Sequence, residues 1–343
     1  MLRWSANSCF LDSLLLLLLK QPSRYVREHM LSSDDPLSHE MARVARHIAE
    51  GGMSTMTSDR VRELLPRSST FESFNDGQPH ECSEVLLQLL AHFRCPDTLE
   101  TTSMCSVLSP DDGVWYQRRA PERRAEAPVW VVSAAQLLSP AQRLPGSDTP
   151  ADGSVDMADI LVLREQEQLD EPVRLDPEDR AEIARCCAPG GPGPAFESYT
   201  TRRLVKSTSR LSDRGDIFFV DIRRTFLHPR TFREMRASTP VRVAERIELA
   251  GRELCLGGLV IHAMQHYVVI VRDGSEWVLL DDQHPDRRER LTWAQLQKNT
   301  PLMRHVVLLS YVVPLGSANA SGSGSAAPEQ PSLGENTVTG NLH

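Results

Sequence analysis

The sequence predicts an α+β fold, and three observations carry that expectation. Residues 1–99 hold helical periodicities, with apolar side chains recurring three and four positions apart. From Asp216 onward the pattern changes to short runs of Val, Ile, Leu and aromatic residues, which have strand length and composition. The two patterns are segregated along the chain instead of alternating, as in helices packed on an antiparallel sheet. With 343 residues, 40% of them hydrophobic, the chain can bury the core of one large or two modest domains.

The first element lies in WSANSCFLDSLLLLLLK, residues 4–20. A secretory signal needs a basic start, an apolar run of roughly 7–15 residues and a small-residue cleavage site. Here Asp12 interrupts the run, leaving Leu14 to Leu19, and Lys20-Gln21-Pro22-Ser23-Arg24 follows with no such site. A membrane span needs about 20 apolar residues. The stretch therefore reads as a helix apolar on all sides and packed inside the protein, beginning just after Cys9.

The next clear element is HECSEVLLQLLAHF, 80–93. Cys82, Val85, Leu86, Leu89 and Leu90 form one helical stripe, and Pro79 suits its start. An ordinary core helix accounts for those positions. Residues 100–215 look irregular, with short strand candidates at 127–132 (APVWVV) and 159–163 (DILVL), and the Gly- and Pro-rich stretch 186–196 reads as a connection. In 216–316, IFFVDI, LCLGGLVIH, YVVIVR and EWVLLD read as strands. Residues 317–343 are polar and low in complexity, and disorder is expected there.

Composition excludes several classes. The net charge of −8 disfavours nucleic acid and suits a basic peptide or protein partner. Seven cysteines at positions 9, 82, 95, 105, 186, 187 and 255 suggest no disulfide framework, and without a C-x-x-C pair no zinc ribbon either. The expectation is an intracellular protein, in cytoplasm or nucleus, of its own or a host cell. It is not secreted, has no membrane span, metal or cofactor, and is a monomer. Of 38 basic residues only Lys20, Lys206 and Lys298 are lysines. A GC-rich genome explains this, as would avoidance of lysine modification.

The chemistry centres on a thiol. A helix N-terminus favours a thiolate, so a helix starting after Cys9 is expected to lower its pKa. A thiolate nucleophile needs an imidazole base, and the base needs an orienting group. In His266-YVVIVR-DGS-EWVLL-Asp281 two strand runs flank Asp273-Gly274, a hairpin signal. A two-residue turn at Asp273-Gly274 pairs Arg272 with Ser275 and sets His266 opposite Asp281; a three-residue turn sets it opposite Asp282. Cross-strand partners have Cβ atoms about 4.5–5.5 Å apart, close enough for a carboxylate–imidazole hydrogen bond.

Together these stretches resemble the ubiquitin-specific proteases, papain-like cysteine deubiquitinases. Asn7-Ser8-Cys9-Phe10-Leu11-Asp12-Ser13-Leu14-Leu15 is similar to their cysteine box N-x-C-[YF]-x-[ND]-S-L-L. HECSEVLL is faintly similar to their Q-Q-D-A-x-E-F-L helix, with Glu81 and Glu84 in the acidic places. His262, His266-Tyr267, Val271-Arg272 and Trp277 to Asp282 resemble the histidine box. DIFFVDIRRTF and STPVRVAERIEL look like the family's intervening strands. The resemblance runs in order from Leu2 to about Val313; the first and last boxes together are specific, the middle ones weak.

The resemblance implies a papain-like fold: a helical thumb over 1–99 with the nucleophile, an insertion in place of the fingers over 100–215, and an antiparallel palm over 216–316. It makes Cys9 the nucleophile, His266 the base, Asp281 the orienter with Asp282 as second candidate, and His262 a non-catalytic histidine. The implied partner is ubiquitin or a ubiquitin-like protein and its conjugates, cut after the C-terminal glycine. Three departures stand out. The family's oxyanion Asn, five residues before the cysteine, is Trp4, so the hole falls to Trp4, Ser5, Asn7 or the Cys9 backbone N–H. The glycine before the histidine is Gln265, and the His262–His266 loop is short. The family's zinc-binding cysteine pairs are missing. Two alternatives stay open: a weak or inactive ubiquitin-binding relative, and a papain-like protease acting on another protein.

Overall fold

The computed structural model describes residues 2, 8–21, 23–50, 56–65, 80–95, 99–108, 115–117, 122–134, 137, 154–165, 167–174, 200–211, 216–227, 232–249, 252–284 and 287–314. Trp4, Ser5, Asn7, the stretch 186–196 and the tail 317–343 lie outside them.

The leucine run is helix α1 (Cys9–Leu19), and every residue from Cys9 to Leu18 is buried. Leucine favours helix, and a helix with no polar face must be covered on all sides. The sheet strands and a second helix cover it. After a π-helical turn, Val26–Met30, come α2 (Pro36–Glu50), α3 (Asp59–Leu64) and α4 (Cys82–His92). α4 is the helix expected over 80–93, and all five residues of its stripe are buried. Glu81 and Glu84 start it as a capping box, the Glu84 carboxylate accepting from the Glu81 N–H at 3.4 Å.

The stretch expected to be irregular, 100–215, differs most from the sequence reading. β1 (Leu99–Leu108), β2 (Trp115–Gln117), β3 (Glu122–Glu126), β6 (Glu167–Arg174) and β7 (Thr200–Leu211) form a five-stranded antiparallel sheet. Thr and Ser fill β1 and β7 without apolar alternation, so their sequences lack the period of two that marks a half-buried strand. The candidate at 127–132 is β4 (Val129–Val132). The candidate at 159–163 is instead part of a helix, Met157–Glu165. Met157, Ile160 and Leu161 are buried at i, i+3 and i+4, and Asp156 accepts the Ala158 N–H at 2.9 Å at its start.

The strands from Ile217 onward, joined by β4, build an eight-stranded sheet. Its order is β16 (Arg288–Leu291), β15 (Glu276–Leu280), β14 (His266–Asp273), β13 (Arg252–Ala263), β17 (Val306–Val312), β8 (Ile217–Ile222) and β4, with β12 (Arg246–Leu249) also on β13. All pairs are antiparallel except β4 with β8. This mixed helix and sheet content is α+β. Alternation along the strands makes two cores. Ile217, Phe219, Tyr267, Val269 and Val271 enter the core that holds α1, while Phe218, Val220, Ile270, Trp277 and Tyr311 enter a second core with Met157 and Leu296. Gly258 lets α1 settle on the sheet: a Cβ there would lie 2.6 Å from Leu17 Cδ1 and 2.8 Å from the Ile270 carbonyl oxygen.

Two long-range polar clasps tie the parts together. Asp216, just before β8, accepts from the Ser23 hydroxyl at 3.1 Å, the Tyr25 N–H at 3.3 Å and the Arg24 N–H. The buried Arg224 guanidinium donates to the carbonyls of Val306 (2.7 Å), Thr239 (2.8 Å), Met303 (3.0 Å) and Ala237 (3.1 Å). Burial, and Arg236 nearby, push its pKa down to about 10. Among the described residues no helix is long and apolar enough to cross a membrane.

Candidate active site

Cys9 is the first residue of α1, and α1 lies on β14, whose first residue is His266. The Tyr267 N–H faces the Cys9 thiol, as does the N–H of Phe10. The candidate thiol and the candidate base are thus linked through Tyr267, the strand neighbour of His266. Cys9 as a residue is only 6% exposed. Burial pushes its pKa up, and the nearby carboxyls of Asp282 and Asp12 add to this, outweighing the two N–H groups that pull it down. The expected lowering by the helix start is therefore overturned. The Ser8 hydroxyl makes no cap to the helix N–H groups; it donates to Asp12 Oδ2 at 2.5 Å instead.

His266 Nε2 lies 2.8 Å from Asp281 Oδ1 and 3.6 Å from Asp282 Oδ1. Asp281 also meets His284 Nδ1 at 2.9 Å and accepts the Gln283 N–H at 3.0 Å. Burial pushes Asp281 upward, but hydrogen bonds from His284, His266 and Gln283 outweigh it and hold the carboxyl below its ordinary value. Asp281 is thus ionised across the neutral range. His266 Nδ1 is buried and makes no hydrogen bond, leaving that nitrogen free to take a proton. The thiol–imidazole hydrogen bond is not formed, a looseness common at resting cysteine–histidine sites.

The hairpin that sets this geometry has another register than the sequence suggested. Asp273 pairs with Glu276, Arg272 with Trp277 and Val269 with Leu280. The turn residues are Gly274 and Ser275, and Gly274 has φ +66° while Ser275 does not have positive φ. Glycine at the first central position is the type II′ pattern, which leaves Asp273 inside the strand. The shift is two residues, so every side chain keeps its face. Asp281 still reaches His266, from just beyond the last ladder pair instead of directly opposite.

The neighbouring turn carries the departure at Gln265. Met264 and Gln265 link β13 to β14 with φ of 50° and 62°, the left-handed region where glycine is most at ease. His262, on β13, stacks on Tyr267 with ring centroids 4.0 Å apart and planes 3° apart. Burial lowers its pKa to about 4, helped by the charges of Arg236, His305 and His266. A neutral, stacked His262 is a packing residue.

His266, Asp281 and Asp282 offer donor atoms within 4.8 Å of one another. Tetrahedral zinc at about 2.0–2.1 Å from each donor would space them about 3.3 Å apart. The 2.8 Å from Nε2 to Asp281 is a hydrogen bond's length, so the group reads as an imidazole–carboxylate pair. Sequence reasoning gave Asp12 no role of its own, seeing it as a break in the leucine run and as one position of the cysteine box. It is fully buried and faces Asp282. A charged residue inside an apolar helix, four positions from a serine, was the available signal. No protein-family model and no curated protein matches the chain.

Proposed function

We propose that the chain is a thiol hydrolase that cuts the peptide or isopeptide bond after the C-terminal glycine of ubiquitin or a ubiquitin-like protein. The supporting observation is His266: Nε2 is held by Asp281 at 2.8 Å and Nδ1 is free, one residue from the N–H that faces Cys9. A lone His–Asp pair on a hairpin is commonplace. One adjoining the first-turn cysteine of a buried helix is the arrangement that nucleophilic catalysis needs.

In this reaction His266 Nδ1 takes the Cys9 proton as sulfur attacks the carbonyl carbon of the terminal glycine. The tetrahedral oxyanion is met by the backbone N–H of Cys9. The imidazolium returns the proton to the leaving amine, and the C–N bond breaks to leave a thioester. Water, deprotonated by the same imidazole, then releases the carboxylate and restores the thiol. Asp281 keeps Nε2 protonated and steadies the imidazolium. The choice of ubiquitin rests on the ordered resemblance of the cysteine and histidine boxes.

A second reading, a ubiquitin-binding relative of low activity, is favoured by the buried, upward-shifted thiol. A ubiquitin probe with an electrophilic C-terminus separates the readings. We expect covalent labelling that Cys9→Ala abolishes, with turnover of a fluorogenic ubiquitin substrate and none of generic peptides. Labelling that survives Cys9→Ala removes Cys9 as nucleophile. Tight non-covalent binding without labelling supports the second reading, and turnover of unrelated peptides alone supports a protease of other specificity.

A further inference from the structure

We infer that Asp12 and Asp282 hold one proton between their carboxyl groups, and that this shared proton fastens the first turn of α1 to the chain leaving β15. Asp12 sits three residues after Cys9 on the buried helix, and Asp282 follows Asp281. Their exposures are 0% and 4%. The two carboxyls face each other within hydrogen-bonding reach. Yet among the described residues Asp12 Oδ1 and both Asp282 oxygens have no well-formed hydrogen bond from another residue, the Asp282 N–H alone turning toward its own carboxyl, although buried acceptors in native proteins nearly always have a partner. Two carboxylates cannot hydrogen-bond each other, whereas a carboxylic acid and a carboxylate can, and strongly. One proton satisfies both groups.

The surroundings agree. From α1 the pair meets Cys9 and the Ser8 hydroxyl, which already donates to Asp12 Oδ2. From the start of α3 it meets Ser58 and the more distant Arg62, whose guanidinium is engaged by Asp59 at 2.6 Å. From β14 it meets His266, and from the chain beyond β15, Asp281. Among the described residues no arginine or lysine makes an ion pair with either carboxyl, and the nearest ring nitrogen, His266 Nε2, lies 3.6 Å from Asp282; one proton removes one of the two negative charges. Burial, then Asp12, then the charge of Asp281, push Asp282 up to about 9, which makes it the proton's holder. Asp12 and Asp282 are positioning residues: they set Cys9 against His266 and do not touch the scissile bond. That positioning role rests on the proposed thiol chemistry; the proton itself does not.

The sign of the pH dependence follows. The folded carboxyl binds its proton more tightly than the unfolded one, so folding takes up a proton between pH 3.8 and about 9. Its contribution is complete below that window, declines through it as pH rises, and is gone above it. Thermal or denaturant unfolding of the full chain across this range, for wild type, Asp282→Asn and Asp12→Asn, tests it. An asparagine amide donates to the remaining carboxylate without a titrating proton. The folding equilibrium of each variant should therefore gain on wild type by up to tenfold per pH unit toward alkaline pH. A variant-to-wild-type ratio constant with pH overturns the proposal. Should the variants fail to fold, infrared spectroscopy of unaltered protein with isotopically labelled aspartate decides. A protonated carboxyl band at neutral pH that fades near pH 9 supports the shared proton, and its absence overturns it. Failed probe labelling with the band present would fault the reaction and leave the proton standing. Labelling with no band would fault the proton alone.

Discussion

Asp281 and Asp282 are adjacent in the chain and opposite in chemistry. Asp281 accepts from three donors and is held below its ordinary pKa; Asp282 is buried beside another acid and is raised. Divergent pKa values in neighbouring carboxyls mark divergent roles. Asp281→Asn removes the carboxylate that fixes the imidazole tautomer, and turnover should fall by roughly 10³–10⁴. Asp282→Asn keeps a hydrogen bond to Asp12 and should cost far less. Steady-state turnover of the two variants checks the order, and a larger loss at Asp282 would exchange the roles. Stability from Asp281 is present above pH 3.8 and is lost as pH falls through its lowered value, the reverse of Asp282. The buried thiol adds a third titration: alkylation of Cys9 by a small electrophile should accelerate with pH beyond the range of an ordinary cysteine.

At the scale of elements, the site depends on α1 lying flat against β13 and β14. Gly258→Ala would drive a methyl group into Leu17 and the Ile270 carbonyl. We expect a loss of roughly 1–3 kcal/mol in denaturant unfolding, the usual cost of overpacking a close contact. Because α1 carries Cys9, probe labelling should slow as well. The sequence made α1, α4 and the central strands legible because each has a strong period and a continuous buried face. The contact of His266 with Asp281 was legible too, since hairpin spacing is a local property, whereas Cys9 was joined to them only through the family resemblance. The long strands β1 and β7 were illegible because neither side shows an apolar pattern. The turn register was misjudged because Asp-Gly fits the type I′ expectation, whereas Gly274 alone takes positive φ. The burial of Cys9 and the meeting of Asp12 with Asp282 arise only when α1 is laid against the sheet, and no local window of sequence contains them.

For the whole molecule, the contacts that matter are distant in sequence. Asp216 holds the backbone of Arg24 and Tyr25 across 192 and 191 positions. Ser310 donates to Gln21 Oε1 at 2.6 Å across 289. Arg224 gathers carbonyls from either side of β13, and two of the four, those of Met303 and Val306, are in place only once the chain reaches the last strand. α1 is the extreme case. It is apolar on every face, and its principal covering strands, β13 and β14, begin at Arg252 and His266. A ribosome adding roughly 5–20 residues per second would take about 10–50 s to travel from α1 to β14. For that interval the nascent chain carries a greasy helix with no sheet to receive it, the kind of segment that chaperones shield. Ribosome-bound chains halted at residue 215 should therefore be held by an Hsp70-type chaperone, and chains extended past residue 314 and clear of the exit tunnel should be released. Equal chaperone occupancy at both lengths would show that α1 finds cover early. The six leucines that seat α1 in the folded core are, during synthesis, an apolar surface open to misassembly.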